Sequence, residues 1–165
     1  AGTDVSSEPE SPPAPPQDEE PSAEPTPFVI SFLGDCTLTS SHHTNHFEKL
    51  VGDDYAYPFS NVAEILLADD LTLANLECSF STRRLESDSE YAFCGDPNYV
   101  QALVQGGVEA VTLSNNHTRD FGDAGLRDTE AALAEYGVAG IPGNQGQCFE
   151  LRHDNGDTLL SLIHI

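Results

Sequence analysis

Apolar runs bounded by turn-forming residues divide the chain into alternating elements. Phe28–Gly34 (FVISFLG) follows a proline-rich break and reads as a buried strand. Ser60 is placed to cap a helix running to about Ala68, with Val62, Ile65 and Leu66 on one face. Leu71–Leu76 (LTLANL) is a second strand. Asp96 followed by Pro97 is a helix start, since proline suits the first helical position. Val100, Leu103 and Val104 form that helix's apolar stripe and Gly106 ends it. Val108–Ser114 (VEAVTLS) is a third strand, and Asp123–Tyr136 a further helix with Leu126, Thr129, Leu133 and Tyr136 at helical spacing and Gly137 beyond it. Val138–Ile141 is a short fourth strand. Segments 149–152 and 158–163 flank Asn155-Gly156, a hairpin signal. Strands alternating with helices predict an α/β domain with a largely parallel sheet.

In open sheets of this kind, ligands sit beyond the carboxyl ends of the strands. The first strand runs into Gly34-Asp35, the second into Asn75-Leu76-Glu77, and the third into Asn115-Asn116-His117. Three strands thus deliver carboxylate, amide and imidazole groups to one edge. These are ligands for a hard or borderline cation, or partners for a phosphate. Single Asp and Asn residues are also common in solvated turns, so the pattern alone leaves both readings open.

Composition adds an N-terminal segment of different character. Residues 1–27 hold eight of the eleven prolines and seven acids, with no base and no aromatic. Such a stretch cannot bury enough apolar surface to offset its ordering entropy, and it reads as a disordered acidic spacer. The chain has no Met, which suggests a processed or excised product. A spacer of this type suits a domain tethered outside the cell through an anchor or signal segment, the other reading being a cytosolic protein with a flexible tail. Six Lys and Arg against 28 Asp and Glu give a formal net charge of -22, which argues against a nucleic-acid partner. Four cysteines, Cys36, Cys78, Cys94 and Cys148, permit disulfides in an exported chain, with Cys78–Cys94 the preferred pair, Cys36–Cys78 its competitor, and free thiols the other reading.

Phe32–Leu38 (FLGDCTL), Ala74–Glu77 (ANLE) and Leu113–Thr118 (LSNNHT), in that order, resemble the bacterial capsule-synthesis protein CapA family, also called PgsA-type poly-γ-glutamate synthesis proteins. Asp120–Leu126 (DFGDAGL), Thr129, Leu133 and Gly137 fit the same pattern, and Phe93–Pro97 (FCGDP) fits it more loosely. The likeness runs from about residue 28 to 144. That family is similar to calcineurin-like metallophosphatases, which implies a metallophosphatase-like α/β sandwich. Position by position, the resemblance makes Asp35, Glu77, Asn116 and, beside Glu77, Asn75 metal-site residues. It makes His117, with Asn115 extending its motif, the catalytic pair, His117 acting on the leaving group. The implied cofactors are divalent ions, with Mn, Fe, Zn or Mg all compatible.

Two departures stand out. Metallophosphatases usually carry Asp-x-His in the first motif, but Thr37 occupies the position two after Asp35. Their later histidine motifs would lie beyond Ile165, so residues 28–165 are expected to form only the N-terminal half of the domain. His42, His43 and His46 gain no role from the resemblance and read as surface residues. Arg83 and Arg84 either meet an anionic substrate or sit in a loop. Two function classes follow: a metal-dependent phosphoesterase-like protein acting on an anionic polymer or phosphoester during capsule or poly-γ-glutamate synthesis, or a non-catalytic accessory domain of a membrane-bound polymer synthase complex.

Overall fold

A computed structural model describes residues 26–41, 44–83, 86–87, 91–143 and 146–163. The spacer expected over residues 1–27 therefore falls almost wholly outside the described residues, as do His42, His43, Arg84 and the final His164-Ile165.

Strand β1 (Ile30–Cys36) leads through the short helices α1 (His46–Val51) and α2 (Ala63–Leu66) to strand β2 (Leu71–Leu76). Two-residue strands β3 (Ser79–Phe80) and β4 (Cys94–Gly95) follow, then helix α3 (Val100–Gly106), strand β5 (Ala110–Leu113), helix α4 (Gly122–Glu135) and strand β6 (Ala139–Pro142). The chain continues into strands β7 (Gln147–Arg152) and β8 (Thr158–Ile163). The expected α/β architecture is present: a four-stranded parallel sheet of order β1-β2-β5-β6, with β3-β4 and β7-β8 as separate pairs. The crossovers β1→β2, β2→β5 and β5→β6 all step the same way across the sheet. Crossovers of one hand then place their helices on one face. The main core lies on that face, where Ala74, Leu76, Val111 and Leu113 meet Leu66, Val100, Leu103 and Leu133. Leu71, Leu73, Ala110 and Ile141 point the other way and are met by Phe149 and Leu151 of the β7-β8 hairpin.

Several local signals hold. Asp96 accepts the Asn98 N–H at 2.9 Å, capping a 3-10 turn that opens with Pro97 and runs into α3. The β7-β8 hairpin turns at 153–157, with Gly156 at φ +93 and its N–H donated to His153 O. Thr129 on α4 is buried, yet its hydroxyl donates to Gly125 O and accepts the Phe80 N–H, so no polar atom is stranded.

The helix expected over 60–68 is different. Ser60 already has helical backbone angles at the end of a 3-10 turn over Tyr57–Phe59, so it cannot cap. Only the four-residue α2 forms, and of the expected face Leu66 is buried while Val62 and Ile65 are exposed. In α3, Gly106 is the last helical residue rather than the cap. Gly106 is buried inside it, and Gly107, at φ +78, makes the left-handed cap. Val104, placed on the apolar stripe, is exposed. Among the described cysteines no disulfide forms: Cys36, Cys78, Cys94 and Cys148 are free thiols. Burial pushes the Cys36 thiol up to about 12 and raises Cys78 and Cys94 as well, so the three are protonated structural residues.

Candidate functional site

The register of the sheet builds the site. Asp35 lies opposite Asn75 on β1-β2, and Asn75 lies opposite Thr112 on β2-β5, so the three occupy one rung near the carboxyl end. The irregularity in β1 between Phe32 and Asp35 sets this alignment. Asn75 is the hub. Its Nδ2 donates to Asp35 Oδ1 at 2.8 Å and, more weakly, to Glu77 Oε1 at 3.4 Å. Its Oδ1 accepts from the Thr112 hydroxyl at 2.8 Å and from Asn115 Nδ2 at 2.9 Å. Asn115 Nδ2 also donates to Leu76 O, a fixed acceptor, and this settles the orientation of both amides. Asn75 therefore turns its nitrogen, not its oxygen, toward the carboxylates.

The loop after β5 is self-bonded. Asn115 Oδ1 accepts the His117 N–H at 2.9 Å, and the Asn115 N–H donates to Thr118 Oγ1 at 3.1 Å. His117 Nδ1 lies 2.9 Å from Asp120 Oδ2, which also accepts the Phe93 N–H at 3.2 Å. A carboxylate oxygen is an acceptor, so Nδ1 carries the proton and Nε2 is the ring nitrogen left for a ligand. The Phe93 ring stands edge-on to the imidazole, with centroids 4.9 Å apart, and fixes its plane. Asp120 is nearly buried; His117 is mostly so.

Asp35, Asn75, Glu77 and Asn115 are thus joined in one hydrogen-bonded group, and His117 is attached to it through Asn115. Asn116 follows on the same loop but is exposed, outside that group. Sequence reading missed Thr112, whose signal was a lone hydroxyl in an otherwise apolar parallel strand. It also missed Thr118 as the lock of the loop. His46 begins α1 on the surface, and Arg83 is held by Asp128, with its Nε donating to Asp128 Oδ2 at 2.7 Å and a second guanidinium nitrogen donating to Ala124 O.

Among the described residues no three His, Cys, Asp or Glu side chains close on one point as metal ligands. The donors at hand are two carboxylates on neighbouring chain segments, with an N–H group between them. That set fits a hydrated hard cation such as Mg²⁺, which binds through one or two carboxylates and keeps several waters.

A parallel α/β sheet that gathers carboxylates, amides and a His–Asp pair at its carboxyl edge defines the class: an α/β protein with a polar side-chain cluster at its strand ends, where ligands of such sheets sit. The profile of the family described as bacterial capsule synthesis protein PGA_cap matches residues 29–146, and the chain belongs to that family. It is 33% identical to probable polyglutamine synthesis accessory proteins of two Mycobacterium tuberculosis strains, over 53% of this chain and 24% of each relative. An uncharacterized protein of Sinorhizobium fredii is 27% identical over 76% of this chain and 27% of its own length. The chain spans about a quarter of the length of these curated relatives.

Proposed function

We propose that the chain carries part of a divalent-cation-assisted, phosphoester-cleaving site, on a metallophosphatase-like sandwich, that serves the making or release of an anionic surface polymer. The observation that carries this reading is the meeting of Asp35, Glu77 and Asn115 on the Asn75 amide, with His117 joined to Asn115 through its backbone N–H. Asp35 and Glu77 would hold the cation, with Asn116, on the loop after β5, as a further ligand. Bound there, a divalent ion would supply Lewis acidity and positive charge against an anionic ester.

The chain's own residues do the rest. Asp120 fixes the His117 ring, so that the imidazolium presents its proton at Nε2 to a departing oxygen. Asn115 positions the His117 backbone, and Asn75 holds the two carboxylates together. Membership of a capsule synthesis family supports the polymer role. The relatives' description as accessory proteins supports action beside a membrane-bound polymer synthase. The acidic proline-rich segment before Phe28 would serve as the spacer of a cell-surface tether. No helix among the described residues is long and apolar enough to cross a membrane.

A non-catalytic accessory role is the second reading. It is favoured by the Asn75 N–H group, which satisfies Asp35 and Glu77 without a cation. Turnover of bis-p-nitrophenyl phosphate by the intact protein with Mn²⁺ separates the two. The enzymatic reading expects metal-dependent turnover that His117→Ala lowers by about 100-fold or more with the fold unchanged by circular dichroism. Turnover at the background rate supports the accessory reading.

A further inference from the structure

Beside the hydrogen-bonded group lies a cavity of about 530 Å³, between the ends of β5 and β6 and the approach to α4. Leu113, Leu126 and Pro142 give it apolar lining, while Ser114, Asn116 and Arg119 give it polar lining. Its size falls among those of small-ligand pockets. We infer that this cavity seats a carboxylate-bearing residue of the polymer substrate, and that Arg119 is the contact that selects it. The inference rests on the proposed function in one respect, that the substrate is an anionic polymer.

The argument starts from charge. The chain has only six basic side chains against 28 acids, so its field repels a polyanion at long range. The proposed cation would meet the ester, so a carboxylate elsewhere on the polymer needs a positive group of its own. Arg83 is held by Asp128 and the Ala124 carbonyl, and Arg152 pairs with Glu150 on the hairpin. Arg119 stands two residues past His117 and lines the cavity. Its partner is Asp123, one helical turn on, and the two side chains are 63% and 69% exposed. An exposed pair of this kind is worth little, so a better acceptor can take the guanidinium. The cavity chemistry matches a glutamyl unit part by part. Methylene groups meet Leu113, Leu126 and Pro142. The carboxylate meets the guanidinium fork, which pairs with it through two parallel bonds.

The test uses the intact protein in Mg²⁺ and a fluorescent, short γ-linked glutamate oligomer, read by anisotropy. A second oligomer with its free carboxylates amidated is the neutral control. Arg119→Gln is expected to weaken the charged oligomer about tenfold or more, with Arg119→Lys in between. The neutral oligomer should bind weakly and equally to both proteins. Binding of the charged oligomer that ignores Arg119, or equal losses for both oligomers, overturns the inference and leaves the proposed function standing. If the unaltered protein turns over the phosphodiester but does not bind the charged oligomer, the polymer reading falls and the inference falls with it.

Discussion

Asn75 spends all of its side-chain bonding capacity on Asp35 of β1, Glu77 just past β2, Thr112 of β5 and Asn115 in the loop beyond it. Removing it leaves the Thr112 hydroxyl and the Asn115 amide without their shared acceptor and lets Asp35 and Glu77 separate. Asn75→Ala is therefore expected to destabilise the protein by about 1–3 kcal/mol, read from the urea midpoint. An unchanged midpoint would show that the hub is formed by chance proximity. Asp120 acts at one remove, through His117. Asp120→Ala should lower metal-dependent turnover about 10- to 100-fold, the usual scale for a residue that orients another. Its effect on KM should be small, because no substrate contact is lost. At this scale the sequence disclosed which residue types gather at the strand ends, because alternating strands and helices force their carboxyl ends to one edge. It did not disclose the direction of the Asn75 amide, which depends on register: a one-residue change in the β1 irregularity would have moved Asp35 off the rung.

The elements show where local chemistry suffices and where it fails. Strand β2 runs from Leu71 to Leu76 as its apolar run implies, and the Asp96-Pro97 start and Asn155-Gly156 turn form through contacts within a few residues. Helix α2 is shorter than its pattern because the preceding 3-10 turn takes Ser60 out of the capping role. The β3-β4 pair joins segments some fifteen residues apart in sequence and leaves no local signal. Gly106 illustrates packing overriding propensity. A Cβ there would sit 2.5 Å from Phe59 Cγ, although alanine is the better helix former. Gly106→Ala is expected to lower stability by about 1–3 kcal/mol through overpacking, and Phe59→Leu in the same chain should restore part of it. Thermal unfolding of the single and double variants checks this; a stabilising single variant would mean that Phe59 moves aside freely.

For the whole molecule, charge sets the response to pH and salt. Among the described residues, three carboxylates are held below their ordinary range. The Arg83 guanidinium, with Ser81, lowers Asp128, and the Val29 N–H, with His153, lowers Asp70. Burial works to raise Glu48, but bonds from the Ser40 N–H and the Thr39 hydroxyl outweigh it. Groups depressed in this way stabilise the fold above the unfolded-chain value near about 4, and that contribution is lost as pH falls through their lower folded values. The net charge of -22 acts the other way at neutral pH, through self-repulsion. Urea midpoints are expected to rise from pH 7 toward about pH 5 and to fall below about pH 4. Added salt should lift the pH 7 value, because it screens charges beyond about 8–10 Å. A midpoint that is flat with salt at pH 7 would remove the repulsion argument. The central claim, that Asp35 and Glu77 form a cation site, is met most directly by Mn²⁺ titration calorimetry on the intact protein and on its Asp35→Asn/Glu77→Gln variant. The account predicts saturable binding at the edge site whose affinity falls at least about 100-fold in the double variant while the urea midpoint stays within about 1 kcal/mol. Equal Mn²⁺ binding by the two proteins would contradict it.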